Sequence, residues 1–316
     1  MIRDLLTRAG SHLDHFLMGM LMFTLLIGLF VLYSASGQSI DKVGAQFVNI
    51  LAAFAVLWVA ANIPPQHLER IALPLYILGL ILLIGVTLFG EVSHGARRWL
   101  SLGVGRVQPS ELMRIAVPML LAWDFAKHVA AQRLPVYVVG VLLLAVPVAL
   151  IIKQPDLGTA ILIALSGFFV LFFAGLSVRL LLGITLTGGV LAPVLWSFMH
   201  DYQRKRIEIL FDPYQDPLGA GYHTIQASIA LGSGGIAGKG WLHGTQAQLD
   251  FLPERTTDFI CAVFGEEFGL LGILLLLVLF GLIIARGLVI ASEAQNTFCR
   301  LLAGSITLTF FTYVFV

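Results

Sequence analysis

Five charged residues, Glu254, Arg255, Asp258, Glu266 and Glu267, stand at or inside the start of one long apolar run, "FLPERTTDFICAVFGEEFGLLGILLLLVLFGLIIAR" (251–286). A carboxylate at such a boundary can take a proton from a hydroxyl, and a cation beside it can hold a phosphate leaving group. Drawn as one helix over 256–289, the segment would be about 51 Å long against a hydrocarbon core of about 30 Å. Its first turns must then tilt strongly or line a water-filled cavity. At about 100° per residue, Asp258 and Glu266 fall within about 80° of each other, while Glu267 points away. Asp258 and Glu266 are therefore expected to face one cavity, with Glu254 and Arg255 at its rim.

Other polar groups are spaced to join them. In "PSELMRIAVPMLLAWDFA" (109–126), Glu111 and Arg114 are three residues apart and share a helix face. An ionisable side chain inside a span costs roughly 2.5–3.5 kcal/mol, so this pair either locks helices together or meets a ligand. "IIKQPDLGTA" (151–160) reads as a hairpin between two spans. Asp156 falls near the N-cap of the second helix, and capping alone accounts for it. Lys153 and Gln154 are left facing the same outer vestibule. Arg204, Lys205 and Arg206 form a basic cluster that suits anionic lipid headgroups as well as it suits a substrate. "GSGGIAGKG" (232–240) fails as a nucleotide loop, because Ser233 takes the first glycine position of G-x-x-x-x-G-K-[ST] and Gly240 the final hydroxyl position. It reads either as a phosphate cradle of backbone N–H groups or as a flexible turn. Lys239, within it, counts with the substrate-binding candidates.

The elements that must position these groups are membrane helices. The chain is 58% hydrophobic and 12% charged, with a mean hydropathy of +0.92, far outside the range of soluble domains. Apolar runs near twenty residues recur without the alternation of a barrel. The fold class is an all-α polytopic membrane protein of about nine transmembrane helices, near 16–34, 43–62, 71–90, 109–127, 136–153, 157–175, 178–199, 257–289 and 297–316. Residues 1–15 carry a helical apolar stripe and read as a short interfacial helix, not a signal peptide. Residues 200–256 form the one long extracytoplasmic loop, and the whole of 1–316 reads as a single membrane domain. Cys261 and Cys299 read as buried free thiols, too far apart for a disulfide.

Lys and Arg in the short loops favour a cytoplasmic N-terminus. Arg3, Arg8, Arg70, Lys127, Arg133, Arg179, Arg286 and Arg300 then lie inside, against Lys42, Arg97, Arg98, Arg106 and Lys153 outside. The chain stops at "TLTFFTYVFV" within an apolar stretch, a pattern expected of a truncated sequence. The net charge of +1 points to no nucleic-acid partner. The eight His and two Cys show no metal-ligand spacing, and neither H-E-x-x-H nor G-x-S-x-G occurs. What remains is a carboxylate acting with several cations on an outer membrane surface, which suits an anionic lipid substrate.

The motifs "YSASG" (33–37), "GARRWLSLG" with "QPSEL" (95–112), "KQPDLGTA" (153–160), "DPLGAGYH" (216–223), "GSGG" with "GKGWLHGTQAQLDFLPERTTDFI" (232–260) and "GEEFGLLG" (265–272) run in order along essentially the whole chain. Together they resemble the SEDS family (shape, elongation, division and sporulation), and its elongation branch more than its divisional branch. The resemblance implies a ten-span fold and a peptidoglycan glycosyltransferase that polymerises lipid II outside the inner membrane for cell elongation and rod shape. Undecaprenyl diphosphate would be the leaving group and Asp258, in the T-D-F motif, the general base. Arg98, Arg106, Glu111 and Arg114 match the family's polar cavity, and Lys153, Gln154 and Asp156 its Q-P-D-L-G-T hairpin. The implied partners are a class B penicillin-binding protein, which supplies transpeptidation, and other membrane proteins of the elongation complex. The resemblance admits a divalent cation, Mg or Mn, on the diphosphate, without a visible ligand set.

Arg114 stands where the family has Lys, and Ala227 and Ser228 stand where it has Ser and Lys. The family also continues past Val316 into a final helical region. A lipid II flippase or transporter is the rival reading, although the inner halves of the spans are almost uninterrupted apolar. A non-catalytic scaffold of the elongation machinery is the other.

Overall fold

The structure is a computed structural model of residues 1–316 and describes residues 13–93, 96–101, 106–128, 134–177, parts of 182–199, 201–219, 221–249, 251–252 and 254–315. The chain divides into two compact units, Met1–Asn62 with Val190–Ile283, and Ile63–Gly189 with Ile284–Val316.

In the first unit, α1 (His15–Ala35) opens on Asp14, whose carboxylate accepts from the Leu17 N–H at 2.8 Å. α2 (Ile40–Ala61) opens on a Ser39 cap. Both use the side-chain oxygen that a free helix N-terminus requires. The segment expected as one long loop has structure of its own: α7 (Asp201–Phe211), a 3₁₀ turn (Pro213–Gln215), α8 (Tyr222–Ser233) and a single turn α9 (Thr245–Gln248). The unit also holds the first part of α10 (Ile260–Glu293). A small apolar core joins Val31, Ala35, Ala227, Ala230, Leu252, Ala262, Val263 and Phe264.

In the second unit, α3 (Pro65–Phe89) starts with proline at its first position, where the missing N–H costs nothing. A short antiparallel sheet follows: β1 (Glu91–Ser93), β2 (Ala96–Ser101) and β3 (Arg106–Val107), in the order β1-β2-β3. Then come α4 (Pro109–Lys127), α5 (Leu134–Lys153), α6 (Leu157–Phe173) and, after the end of α10, α11 (Thr297–Phe315). α4 packs on α3, α5, α6 and α11. Met113, Ala116, Val117, Leu120, Leu121 and Ala122 on it are almost fully buried in the unit's core. The most buried helix therefore also carries Glu111, Arg114, Asp124 and Lys127. Of these four, Arg114 and Asp124 are partly buried, whereas Glu111 and Lys127 are exposed.

Six described helices are long and apolar enough to cross a membrane, and α6, at 17 residues, is shorter and apolar. The chain is an all-helical polytopic membrane protein. Eight of the nine expected spans have their helix, while much of 178–199, like residues 1–12 of the expected interfacial helix, lies outside the described residues. The small sheet at 91–107 was not expected. Cys261 and Cys299 are free thiols as expected, but Cys261 is exposed and Cys299 only half-buried.

Candidate active site

Asp258 does not lie on a helix. Residues 254–259 form a turn in which the Glu254 carbonyl accepts from the N–H groups of Thr257 (3.1 Å) and Phe259 (3.3 Å), and α10 begins only at Ile260. The run Thr256-Thr257-Asp258 suits a helix entrance better than a helix interior, since short polar side chains compete for backbone hydrogen bonds. The expected helical register between Asp258 and Glu266 therefore does not exist. Asp258 is exposed, and its carboxylate has no hydrogen-bond or ion-pair partner among the described residues. The turn is anchored on both sides: Leu252 is buried in the unit's core, and the Phe259 ring lies parallel to the His223 imidazole with centroids 6.0 Å apart. Glu254, at φ 49°, begins the turn and accepts the Thr257 hydroxyl at 3.2 Å. Arg255 is half-buried beside Gly37 of the α1–α2 connection.

Glu266 and Glu267 are both buried, at 0% and 1% exposure. Glu266 Oε1 accepts from Lys239 Nζ (2.7 Å), Thr245 Oγ1 (3.0 Å) and the Gln246 N–H (3.0 Å). Lys239 also donates to Thr245 Oγ1 at 2.7 Å. Glu266 is thus enclosed by its partners instead of lining an open cavity with Asp258, and Lys239 is spent on it. Glu267 pairs elsewhere, with its own set of donors. Its Oε1 accepts from the Ser34 hydroxyl and, at 3.1 Å, from the Leu242 N–H, and its Oε2 is buried without a partner.

The glycine-rich segment meets α10 at a break. Gly269 has φ 65° and ψ −161°, so the helix cannot close its own hydrogen bonds there. The loop supplies them. Lys239 N–H donates to the Glu266 carbonyl (3.0 Å) and Gly240 N–H to the Glu267 carbonyl (2.9 Å). In return, Leu270 and Leu271 donate to the carbonyls of Gly235 (2.9 Å) and Ile236 (3.1 Å). A Cβ at Gly238 would overlap the Glu267 carbonyl oxygen, and one at Gly269 the Gly238 nitrogen. The segment is neither the expected phosphate cradle nor a flexible turn. It is a wedge in a broken helix.

The second unit brings together a second polar group. Arg114 Nη1 pairs with Glu111 Oε2 at 2.8 Å, and Nη2 reaches Thr159 Oγ1 at 3.4 Å. The guanidinium lies 5.7 Å from the centre of the Tyr313 ring, and its Nε is buried without a partner. Asp156 caps α6 by accepting from the Thr159 N–H at 3.3 Å. Gln154, 4% exposed, donates to the Leu83 carbonyl at 3.0 Å, whereas Lys153 is exposed. Arg98 lies on β2 and Arg106 on β3, with side chains outside the described residues. Thr159, Tyr313, Ser34, Thr245 and His223 were not singled out from the sequence. Thr159, Ser34, Thr245 and His223 lie inside quoted motifs, but nothing in the sequence ties Tyr313 to Arg114.

The basic cluster on α7 is partly neutralised. Lys205 pairs with Asp216 at 2.8 Å, and that hydrogen bond and charge push its ammonium above the usual lysine range. Arg204 donates to the carbonyls of Trp196 (3.0 Å) and Ser197 (2.8 Å). The Arg206 side chain lies outside the described residues. Among the described residues no group of three or more His, Cys, Asp or Glu could hold a metal ion. The described residues form no ligand set for a divalent cation.

Residues 14–316 match the model of the cell cycle protein family of FtsW, RodA and SpoVE. The chain is 51% identical over 306 residues to the peptidoglycan glycosyltransferase MrdB of Escherichia coli K12, covering 96% of this chain and 83% of that one. It is 37% identical to a probable peptidoglycan glycosyltransferase FtsW of Trichlorobacter lovleyi, over 90% of this chain and 77% of that one. Its fold is similar to a chain described under the structural coordination of polymerization and crosslinking by a peptidoglycan synthase complex, with TM-score 0.81, 29% identity, and 96% and 85% coverage. The crystal structure of Thermus thermophilus RodA is similar at TM-score 0.69 and 25% identity, covering 96% of this chain and 83% of that one. With nearly its full length matched, the chain belongs to the FtsW, RodA and SpoVE family of cell cycle proteins.

Proposed function

We propose that the chain is a peptidoglycan glycosyltransferase of the bacterial inner membrane that polymerises lipid II for cell elongation. The observation that carries this is the exposed carboxylate of Asp258, unpartnered among the described residues and held in an anchored turn at the mouth of a membrane helix. The 51% identity to an enzyme named peptidoglycan glycosyltransferase supports it. With the N-terminus cytoplasmic, this turn faces the extracytoplasmic side, where the substrate headgroup is presented. The whole chain acts as one membrane domain.

In the proposed reaction, Asp258 accepts the proton of the acceptor GlcNAc 4-hydroxyl as its oxygen attacks C1 of the donor MurNAc. The bond from C1 to the diphosphate oxygen breaks with its electron pair, and undecaprenyl diphosphate leaves. One displacement converts the α-linkage into a β-1,4 bond. Arg114 and Lys153, with Arg98 and Arg106, are assigned to the diphosphate, where fixed cations stabilise the charge that develops on departure. Arg114 suits this role because a guanidinium can bind phosphate through two N–H groups. Glu111, Glu254 and Arg255 are assigned to substrate contacts. The similarity to a peptidoglycan synthase complex supports a class B penicillin-binding protein as partner.

The test is polymerisation of labelled lipid II, resolved on gels, by the chain with its penicillin-binding partner, beside Asp258→Asn. Polymer from the parent and none from the variant is the expected result. Equal polymer from both would remove Asp258 from the chemistry.

A further inference from the structure

Only a short helical piece, from Ile260 to Phe268, separates the Asp258 turn from the break at Gly269. One end of this piece runs directly into the turn that holds the exposed carboxylate. The other end is held by the wedge, through four backbone hydrogen bonds exchanged with 235–240. The wedge is held in turn by the Lys239–Glu266 pair, whose carboxylate has no exposure and takes donors from Lys239, Thr245 and Gln246. Neither carboxylate oxygen has room for a substrate, and the ammonium is already engaged. A further support lies on the same segment, where the Trp241 ring stacks on Phe30 of α1 at 4.2 Å.

We propose that Lys239 and Glu266 are positioning residues for Asp258: the pair clamps the 232–249 segment into the break of α10, and the helical piece above the break carries the carboxylate as a rigid lever. This rests on the glycosyltransferase reading and reassigns both residues from contacting substrate to holding the base in place. The short piece moves as a unit, because its internal hydrogen bonds are intact up to the break. A small shift at the wedge is therefore delivered to Asp258, and a misplacement of about 1 Å at a catalytic group can cost about a hundredfold in rate. With Glu266 buried and Lys239 engaged by it, loss of the clamp is expected to lower kcat and leave KM alone.

Removing one partner alone would strand a buried charge and unfold the region, whereas removing both charges together leaves a well-packed neutral site. The decisive variant is therefore the double change Lys239→Met/Glu266→Gln, purified with the penicillin-binding partner and assayed on lipid II. The expected result is folded protein whose kcat is lower by about tenfold, with KM within about twofold of the parent. Unchanged kcat would reduce the pair to a fold element. A raised KM with unchanged kcat would return Lys239 to the substrate. If the double variant does not fold, Thr245→Val removes one bridge and no charge. It should then lower kcat by about two- to fivefold at constant KM, and an unchanged kcat overturns the proposal.

A second readout needs no activity. A spin label on Thr257→Cys, with Cys261 and Cys299 replaced by serine, reports the mobility of the turn. It should be immobile on the parent background and mobile in the double variant, or in Thr245→Val if that is the variant that folds. Equal mobility sinks the lever even if polymer is made. A parent that makes no polymer but shows the mobility change would sink the glycosyltransferase reading and leave the lever standing.

Discussion

Ser34 and Glu267, 233 residues apart in sequence, share a buried hydrogen bond in which the serine hydroxyl donates to Oε1 of the carboxylate. With the Leu242 N–H, this is the support of a carboxylate that is 1% exposed and whose other oxygen has no partner. The pair ties α1 to α10, and through Leu242 it ties both to the wedge segment.

Ser34→Ala removes one of the two donors and leaves the carboxylate with the Leu242 N–H alone among the described residues. The cost of stranding a buried acceptor is about 1–3 kcal/mol. Thermal unfolding in detergent, followed by size exclusion, is expected to show a clear loss of stability for Ser34→Ala. Ser292→Ala, at an exposed site where the hydroxyl bonds only the Val289 carbonyl, should stay within about 0.5 kcal/mol of the parent. Equal stability of the two variants would mean that Glu267 finds another donor.

Gly269 should be irreplaceable. Its φ of 65° with ψ of −161° lies in a region open essentially to glycine alone, and an added Cβ would meet the Gly238 nitrogen. Gly269→Ala combines a backbone cost of about 1–3 kcal/mol with the loss of the wedge hydrogen bonds. Folded yield should collapse. By contrast, Gly281→Ala, on the same helix with open space around its Cα, should be gained by about 1 kcal/mol or leave stability unchanged. Comparable yields from the two would show that the break is not required.

The sequence announced the architecture because lipid enforces it: runs of about twenty apolar residues have few other uses. It also flagged the right neighbourhood for the carboxylates. It misjudged their arrangement, because a helical wheel assumes an unbroken helix from 256. The break at Gly269 depends on hydrogen bonds from a segment some thirty residues upstream, and no local pattern encodes that partner. Glu266 looked like a cavity residue for the same reason, since its enclosure by Lys239, Thr245 and Gln246 is tertiary. The sheet at 91–107 is held by cross-strand pairing, which periodicity over six residues or fewer does not reveal. Gln154 was read from its place in a polar hairpin, yet its amide is turned into the unit's core to meet Leu83.

That orientation yields a contrast within one hairpin. Gln154→Met keeps the volume and strands the Leu83 carbonyl, so it should destabilise by about 1–3 kcal/mol while leaving KM for lipid II unchanged. Lys153→Met, at an exposed position, should leave thermal stability unchanged and raise KM. The two variants compared by unfolding and by steady-state kinetics separate fold from binding. A raised KM for Gln154→Met at parental stability would put its amide back on the substrate.

Arg114 is held from three sides, by Glu111 at 2.8 Å, by Thr159 at 3.4 Å and by the Tyr313 ring at 5.7 Å. It is still partly exposed, with 29% of its side chain accessible. Under the proposed mechanism, Arg114→Ala should raise KM for lipid II by about tenfold or more, because a charge-assisted contact to the diphosphate is lost. Lysine supplies the charge but cannot present two N–H groups from one rigid plane. Arg114→Lys should therefore fall between parent and alanine, and Tyr313→Leu should weaken binding in the same direction while Tyr313→Phe does not. If Arg114→Ala bound lipid II as tightly as the parent, the residue would serve only to join α4 to α6. In that case unfolding temperature, and not KM, would be the quantity that Glu111→Gln and Thr159→Val also lower.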